Sequence, residues 1–385
     1  MAKKTAKKTT KKPAKKTARK TAGGSAREHL ISFPPPGHLA GIIGQPRATG
    51  ILQSTLVSER LHHCWLFSGP QGVGKFTAAL AFAWAILDPT TSPDLAGAPT
   101  PDETSEVAQL LKAGSHPDLH VVTKELAPFS RDPAVRRGKQ TTIPADVLRQ
   151  FLIEPAVRAA SLQGGLASKV FIVDEAELMG GGQRVGQNAL LKTLEEPPPG
   201  TVIILVTASE DRLLPTIRSR SQRVAFTPLA DDTIRTWASA RGLDTQAIDE
   251  ALPLAEGSPG RLIELVEHGD LRWYQTIRPM LDQTVEGRFP VKLGDTMTRL
   301  IKEHADAWVK ADDRRSKEVA NRAAAERIFR LIASHMRGGL QSRASAPIAI
   351  ASVEAIGRAE QRIAANTQMG MVMEALAADL AEAGR

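Results

Sequence analysis

The apolar positions change rhythm along the chain. Up to about residue 226, short runs rich in Val, Ile and Phe alternate with helix-length segments, at 64–67, 119–122, 170–173, 202–206 and 224–226. Runs that are apolar on both faces and separated by helices predict strands of a central parallel sheet. The longest uninterrupted apolar run, 78–87, has ten residues. A membrane span needs roughly 20, so this run predicts a buried helix. Between 88 and 118 the chain is rich in Pro, Thr, Asp and Ser, which predicts a surface loop with a short helix near 107–112. From about 228 the pattern is helix after helix with no clear strand. Met369, Met373, Leu376 and Leu380 step by four, three and four, which puts them on one helix face as a packing stripe.

The division expected from these patterns is a tail over 1–27, an α/β domain over 28–227, a small helical lid over 228–268 and a longer helical domain over 269–385. A chain of 385 residues with 42% apolar content has enough material for two or three domains with their own cores. One cysteine, Cys64, excludes an internal disulfide and a cysteine-built zinc site, and fits a reducing cytoplasm. The first 30 residues lack the apolar core of a secretory signal.

Charge changes the picture in one place. Residues 1–20 carry ten Lys and Arg and no acid, so the net +8 of the chain becomes −2 for residues 21–385. The basic character belongs to a Lys-Lys repeat with nothing to bury, expected to be disordered. It is either a solubilising tail or a sequence-independent tether for nucleic-acid phosphates.

Three motifs carry chemistry. The first is Gly69-Pro-Gln-Gly-Val-Gly-Lys75, a phosphate-binding loop following a strand and opening a helix. Gly69, Gly72 and Gly74 let the backbone approach a ligand, the helix start offers N–H groups to an anion, and Lys75 reaches the outer phosphates. The next position holds a magnesium-binding hydroxyl in such loops, and here it is Phe76. Thr77 is turned about 100° around the helix and is a poor substitute. The second motif is KVFIVDEAELM, a strand ending in Asp174 and Glu175, which suits a metal-organising aspartate and a water-positioning carboxylate. The third is NALLKTLEEPPPGTVIILVTASEDRLLPTIRSRSQ.

With the third motif the chain resembles bacterial clamp-loader subunits of the AAA+ class, most closely the delta-prime family of DNA polymerase III. IIGQPRA, GPQGVGK, GSHPDLHVV, VFIVDEAELM, NALLKTLEEPPP, LLPTIRSRSQ and EGSPGR carry the resemblance, which covers about 35–268 well and the helical remainder loosely. It implies an α/β RecA-like AAA+ domain with a parallel sheet, a helical lid, and an all-α C-terminal collar through which subunits associate. Gly44 and Gln45 fall where the family lines its adenine pocket. Thr207 and Ser209 fall near its sensor of the γ-phosphate. Arg220, within Ser219-Arg220-Ser221, matches the arginine that the family's Ser-Arg-Cys motif offers in trans to a neighbour's ATP, the arginine-finger role. The family's lid arginine follows a Gly-Ser-x-Arg pattern; here that position is Gly260 and the arginine is Arg261, one step late. The family often carries a four-cysteine zinc module after the loop helix, and no cysteine lies in 88–118, so no zinc is expected.

These features support a clamp-loader subunit of the replicative DNA polymerase holoenzyme that does not hydrolyse ATP, binds it weakly or not at all, and needs magnesium only with nucleotide. The implied partners are the other loader subunits, the sliding clamp and primed DNA. Two other readings stand beside it. One is an active AAA+ ATPase, as a motor subunit or a free-standing remodeller, supported by Lys75, Asp174 and Glu175. The other is a DNA-binding architectural protein worked by its tail.

Overall fold

The computed structural model describes residues 33–94, 97–138, 141–180, 185–311, 317–337 and 346–384. The expected tail over 1–27 lies outside them. Five parallel strands form the central sheet: β1 Cys64–Ser68, β2 Leu119–Val122, β3 Lys169–Val173, β4 Thr201–Thr207 and β5 Gln222–Ala225, in the order β2-β3-β4-β1-β5. Leu66 stands beside Leu205 on one side and Arg223 on the other. Ile172 stands between Val121 and Ile204.

Every residue of β3 and β4 is buried, as expected for strands covered on both faces. Alternate side chains go to opposite faces. Trp65 and Phe67 join one apolar cluster, while Cys64 and Leu66 join the other. The edge strand β5 buries only Val224. Its start two residues before the expected run follows from that: an edge strand needs few apolar residues, so composition marks it poorly.

Helix α1 spans Pro46–Ser58 and α2 spans Lys75–Leu87. Eleven residues of α2 are buried, in line with its continuous apolar run. The segment after α2 is organised by one carboxylate. Asp88 is 2% exposed and accepts from Trp84 Nε1 at 3.1 Å, Thr90 N at 2.9 Å, Thr90 Oγ1 at 2.6 Å and the Ser105 hydroxyl. Ser105 in turn caps α3, Glu106–Lys112, by accepting from Ala108 N at 2.9 Å, a favoured N-cap. Short helical turns fill 124–156, followed by β3, α4 Val185–Glu195, β4 and α5 Pro215–Arg218.

After β5 the described elements are all helices: α6 Asp231–Ala240, α7 Thr245–Ala255, α8 Pro259–Glu267, α9 Asp270–Val285, α10 Leu293–Ala311, α11 Lys317–Arg337, α12 Ala346–Ala364 and α13 Met369–Ala383. The stripe on α13 turns inward, with Met373, Leu376 and Leu380 fully buried. A buried ion pair ties α9 to α11. Asp270 is 1% exposed and accepts from Arg327 Nε at 2.6 Å, while the same guanidinium lies 4.6 Å from the Trp273 ring centroid. Among the described residues no helix is long and apolar enough to cross a membrane.

Candidate nucleotide site and the Arg220 surface

The phosphate loop joins β1 to α2 at the C-terminal edge of the sheet, where open parallel sheets bind ligands. Gly69 and Gly72 take φ of 147° and 74°, backbone that favours glycine. A Cβ on Gly69 would sit 2.2 Å from Phe226 O, and one on Gly72 would sit 2.4 Å from Ser258 Oγ. The loop is thus held between the end of β5 and the lid. Gly74 caps α2. Lys75 Nζ donates to Gly69 O at 2.7 Å and to Pro70 O, so the lysine folds back on its own loop. Burial pushes its amine below the ordinary lysine range, against the pull of Asp174 and Glu177.

Gly72, Gly74, Lys75, Phe76, Thr77, Asp174, Glu175 and Thr207 come together around one cavity of about 470 Å³. That volume is in the range of small-molecule sites. Gly44, Gln45, Gly69, Ser209 and Arg261 do not line it; Gly41, Ile42 and Ile43 do. Gln45 is 3% exposed and works as a brace. Its amide nitrogen donates to Val73 O at 3.2 Å and Thr227 O at 2.7 Å, and its carbonyl accepts from Thr227 N at 3.2 Å. Gly44 lies against Leu229.

The carboxylates are bound up locally. Burial, ahead of all other causes, pushes the Asp174 carboxyl up to about 6; it accepts from Glu175 N at 3.0 Å. Glu175 pairs with Lys124 at 2.6 Å. Glu177 accepts from the Thr207 hydroxyl at 2.7 Å and from Ala208 N at 3.2 Å, so the expected sensor threonine is engaged by a neighbour in the second motif. The position that should present a hydroxyl to magnesium is a ring: Phe76 packs edge-on to Phe33, centroids 6.5 Å apart. The backbone and Lys75 fit phosphates, whereas the metal side lacks its helix ligand.

The lid docks directly on the loop. Ser258 Oγ donates to Gln71 O at 2.9 Å and caps α8 by accepting from Arg261 N at 3.1 Å, and Gly260 N donates to Gly72 O at 3.0 Å. Arg261, one helix position on, turns away from the cavity toward α11. Among the described residues its only ion pair is with Glu264 at 3.8 Å, a carboxylate shared with Arg330 at 3.8 Å, and both of its terminal nitrogens are buried with no hydrogen-bond partner there. Burial, then the like charge of Arg330, pushes this guanidinium below its ordinary range. Besides Gly41 and Glu177, two cavity residues escaped the sequence reading, Trp237 and Arg241. They stand one turn apart in the lid, and an aromatic–cation pair at that spacing was the signal available.

Arg220 lies just beyond α5 and outside the cavity lining. Its Nη2 donates to Glu195 Oε1 at 2.8 Å and its Nη1 to Thr216 O at 3.1 Å, with the side chain 36% exposed. The residue after it anchors the turn: Ser221 Oγ donates to Ile217 O at 2.8 Å and meets the buried Cys64 Sγ at 3.1 Å. Burial pushes the Cys64 thiol up to about 12.

Residues 44–230 match the family model described as "DNA polymerase III, delta subunit". A DNA polymerase III subunit delta' of Pseudomonas aeruginosa is 36% identical over 58% of this chain and 60% of its own length. Its counterpart in Bacillus subtilis is 32% identical over 49% of this chain and 50% of its own. A gamma/tau subunit of Mycobacterium tuberculosis is 30% identical over 52% of this chain and 30% of its own. The chain thus spans half to three fifths of the delta' relatives it matches, and the matched part is the body that carries the loop, the carboxylates and Arg220. Residues 44–230 of this chain are thus similar to the DNA polymerase III delta-subunit family, and the relatives at 32–36% identity make the likeness a delta-prime one.

Proposed function

We propose that this chain is a clamp-loader subunit that does not itself hydrolyse ATP and that donates Arg220 to the ATP site of a neighbouring subunit. The observation that carries this reading is a contrast. The metal-binding position of its own loop is Phe76, while Arg220 stands on the surface, outside its own cavity. A guanidinium so placed reaches phosphates only on another molecule. There it stabilises the charge that develops on a transferring phosphoryl group, having first exchanged Glu195 for the phosphate oxygens.

In this reading residues 28–227 form the AAA+ body, 228–268 the lid and 269–385 a collar through which subunits associate. The partners are related loader subunits, the sliding clamp and primed DNA, in the cytoplasm. The Lys-rich tail adds phosphate contacts without sequence preference. The rival reading, an active ATPase, is favoured by Lys75, Asp174, Glu175 and Thr207 lining one cavity.

The test is ATP hydrolysis by the isolated chain and by the reconstituted loader with clamp and primed DNA, wild type against Arg220→Ala. The isolated chain should be inactive. The variant loader should lose activity at the affected site by about 10³ or more, diluted by any intact sites. Hydrolysis by the isolated chain, with no effect of Arg220→Ala in the loader, would establish the rival.

A further inference from the structure

Arg220 and Glu195 are set against each other by two consecutive residues at the start of β1. His63 Nε2 donates to Leu194 O at 3.1 Å, which fixes the end of α4 next to Glu195. Cys64 Sγ meets Ser221 Oγ at 3.1 Å, which fixes the turn next to Arg220. Within this frame Arg220 Nη2 donates to Glu195 Oε1 at 2.8 Å, and Nη1 donates to Thr216 O at 3.1 Å.

Nothing in α4 itself calls for an acid at this place. Glu195 is the last residue of the helix, where the unpaired carbonyls favour a cation and oppose a carboxylate. Lys192 lies one turn back on the same helix, yet neither it, Glu196 nor Arg218 enters an ion pair among the described residues. Among those residues Glu195 pairs with Arg220 alone. The pair also does little for the fold. Arg220 is 36% exposed and Glu195 51%, and ion pairs so open to water contribute little stability.

What the contact does is neutralise Arg220 at the surface. A guanidinium held by a carboxylate offers a phosphate less attraction than a bare one. A carboxylate that stayed beside it would also repel the charge building on a transferring phosphoryl group. The contact therefore has to break before Arg220 can act.

We propose that Glu195 is an autoinhibitory partner of Arg220, holding the arginine back until the phosphate of a docked neighbour's ATP displaces it. This role rests on the reading of Arg220 as a donor to that ATP. A phosphate can win because it carries more charge than a carboxylate and fits the same fork of donors. The exposure of the pair sets the strength of the restraint: a contact in water slows the arginine's release without preventing it.

The test is ATP hydrolysis by the reconstituted loader, with and without clamp and primed DNA, for wild type, Glu195→Gln, Arg220→Ala and the double variant. Glutamine keeps the size of the side chain and an acceptor oxygen, and removes the charge. Thermal melts of the isolated chains check the fold, and all should lie close to wild type because both positions are exposed to solvent. Glu195→Gln should raise the rate without clamp and DNA by about twofold to fivefold, the range of an exposed ion pair. The gain should shrink as added salt screens the pair in the wild type. In the Arg220→Ala background the same substitution should change nothing, because Glu195 acts through Arg220. A Glu195→Gln rate at or below wild type overturns the proposal, and so does a gain that persists in the Arg220→Ala background. Either result leaves the Arg220 reading to stand on Arg220→Ala alone. If Arg220→Ala has no effect on the loader, that reading falls and the role of Glu195 falls with it.

Discussion

The loop cavity and the Arg220 surface come from the same α/β body and are built to opposite ends. In the cavity most charged groups are satisfied from within. Lys75 bonds its own loop, Glu175 bonds Lys124, Glu177 bonds Thr207, and the lid closes on the loop through Ser258 and Gly260. At Arg220 the backbone is pinned from below while the guanidinium stays half in solvent, held by one exposed carboxylate. Both lie mainly within the span 44–230 that matches the family model. The difference teaches that a motif can persist as architecture in one place and as available chemistry in another.

The sharpest way to break the comparison is Arg220→Ala. On the chain alone it removes an exposed ion pair, so stability should change by less than about 1 kcal/mol, while the loader loses the activity described above. A large loss of stability in the isolated chain would make Arg220 a structural residue. Next is Gly72→Val, which puts a β-branched side chain at φ 74° with Ser258 Oγ 2.4 Å from its Cβ. A cost of about 2–3 kcal/mol is expected, read as a lower midpoint in urea. An unchanged midpoint would mean that the lid is not docked in solution.

Asp174→Asn sharpens the comparison from the other side. A carboxyl raised to about 6 in the folded chain, against about 3.9 unfolded, costs stability when ionised. That cost is complete above pH 6, shrinks as pH falls and is gone below about pH 4. The asparagine variant should therefore be more stable by about 2 kcal/mol at pH 7.5 and no more stable at pH 4. A constant gain across that range would assign the effect to packing. The smallest effect expected is for Arg261→Met. Removing two orphaned donors and a charge beside Arg330 should be neutral or stabilising by up to about 1 kcal/mol, measured by thermal melting. A clear loss would show that Arg261 has a partner in solution.

Much of the body was legible because its signals are local. The strand–loop–helix of residues 64–87 and the strand ending in Asp174 announce themselves through short-range pattern, and the structure brings Lys75, Asp174, Glu175 and Thr207 to one cavity as their motifs imply. What was not legible comes from distance and direction. Trp237 and Arg241 reach the cavity only because the lid folds back across the loop. Gln45 reads as a pocket residue, yet its amide is consumed in bracing two backbone segments. The stretch after α2 reads as a polar surface loop, and its anchoring on Asp88 depends on partners that no composition reveals. Arg261 shows where a one-residue displacement does register: a rotation of about 100° on a helix is enough to swap a cavity for an interhelical seam.

Cys64 has a use that its chemistry alone conceals. It is the sole thiol of the chain, fully buried, and it sits directly beneath the turn that carries Arg220. An alkylating reagent reaches it only when that turn lifts or β5 parts from β1, and the thiolate is scarce until then. Its labelling rate is therefore a clock that counts openings of the Arg220 segment, as amide exchange counts openings of a helix. A neighbour seated on Arg220 should slow the clock, so one native sulfur reports docking without any tag or added probe site.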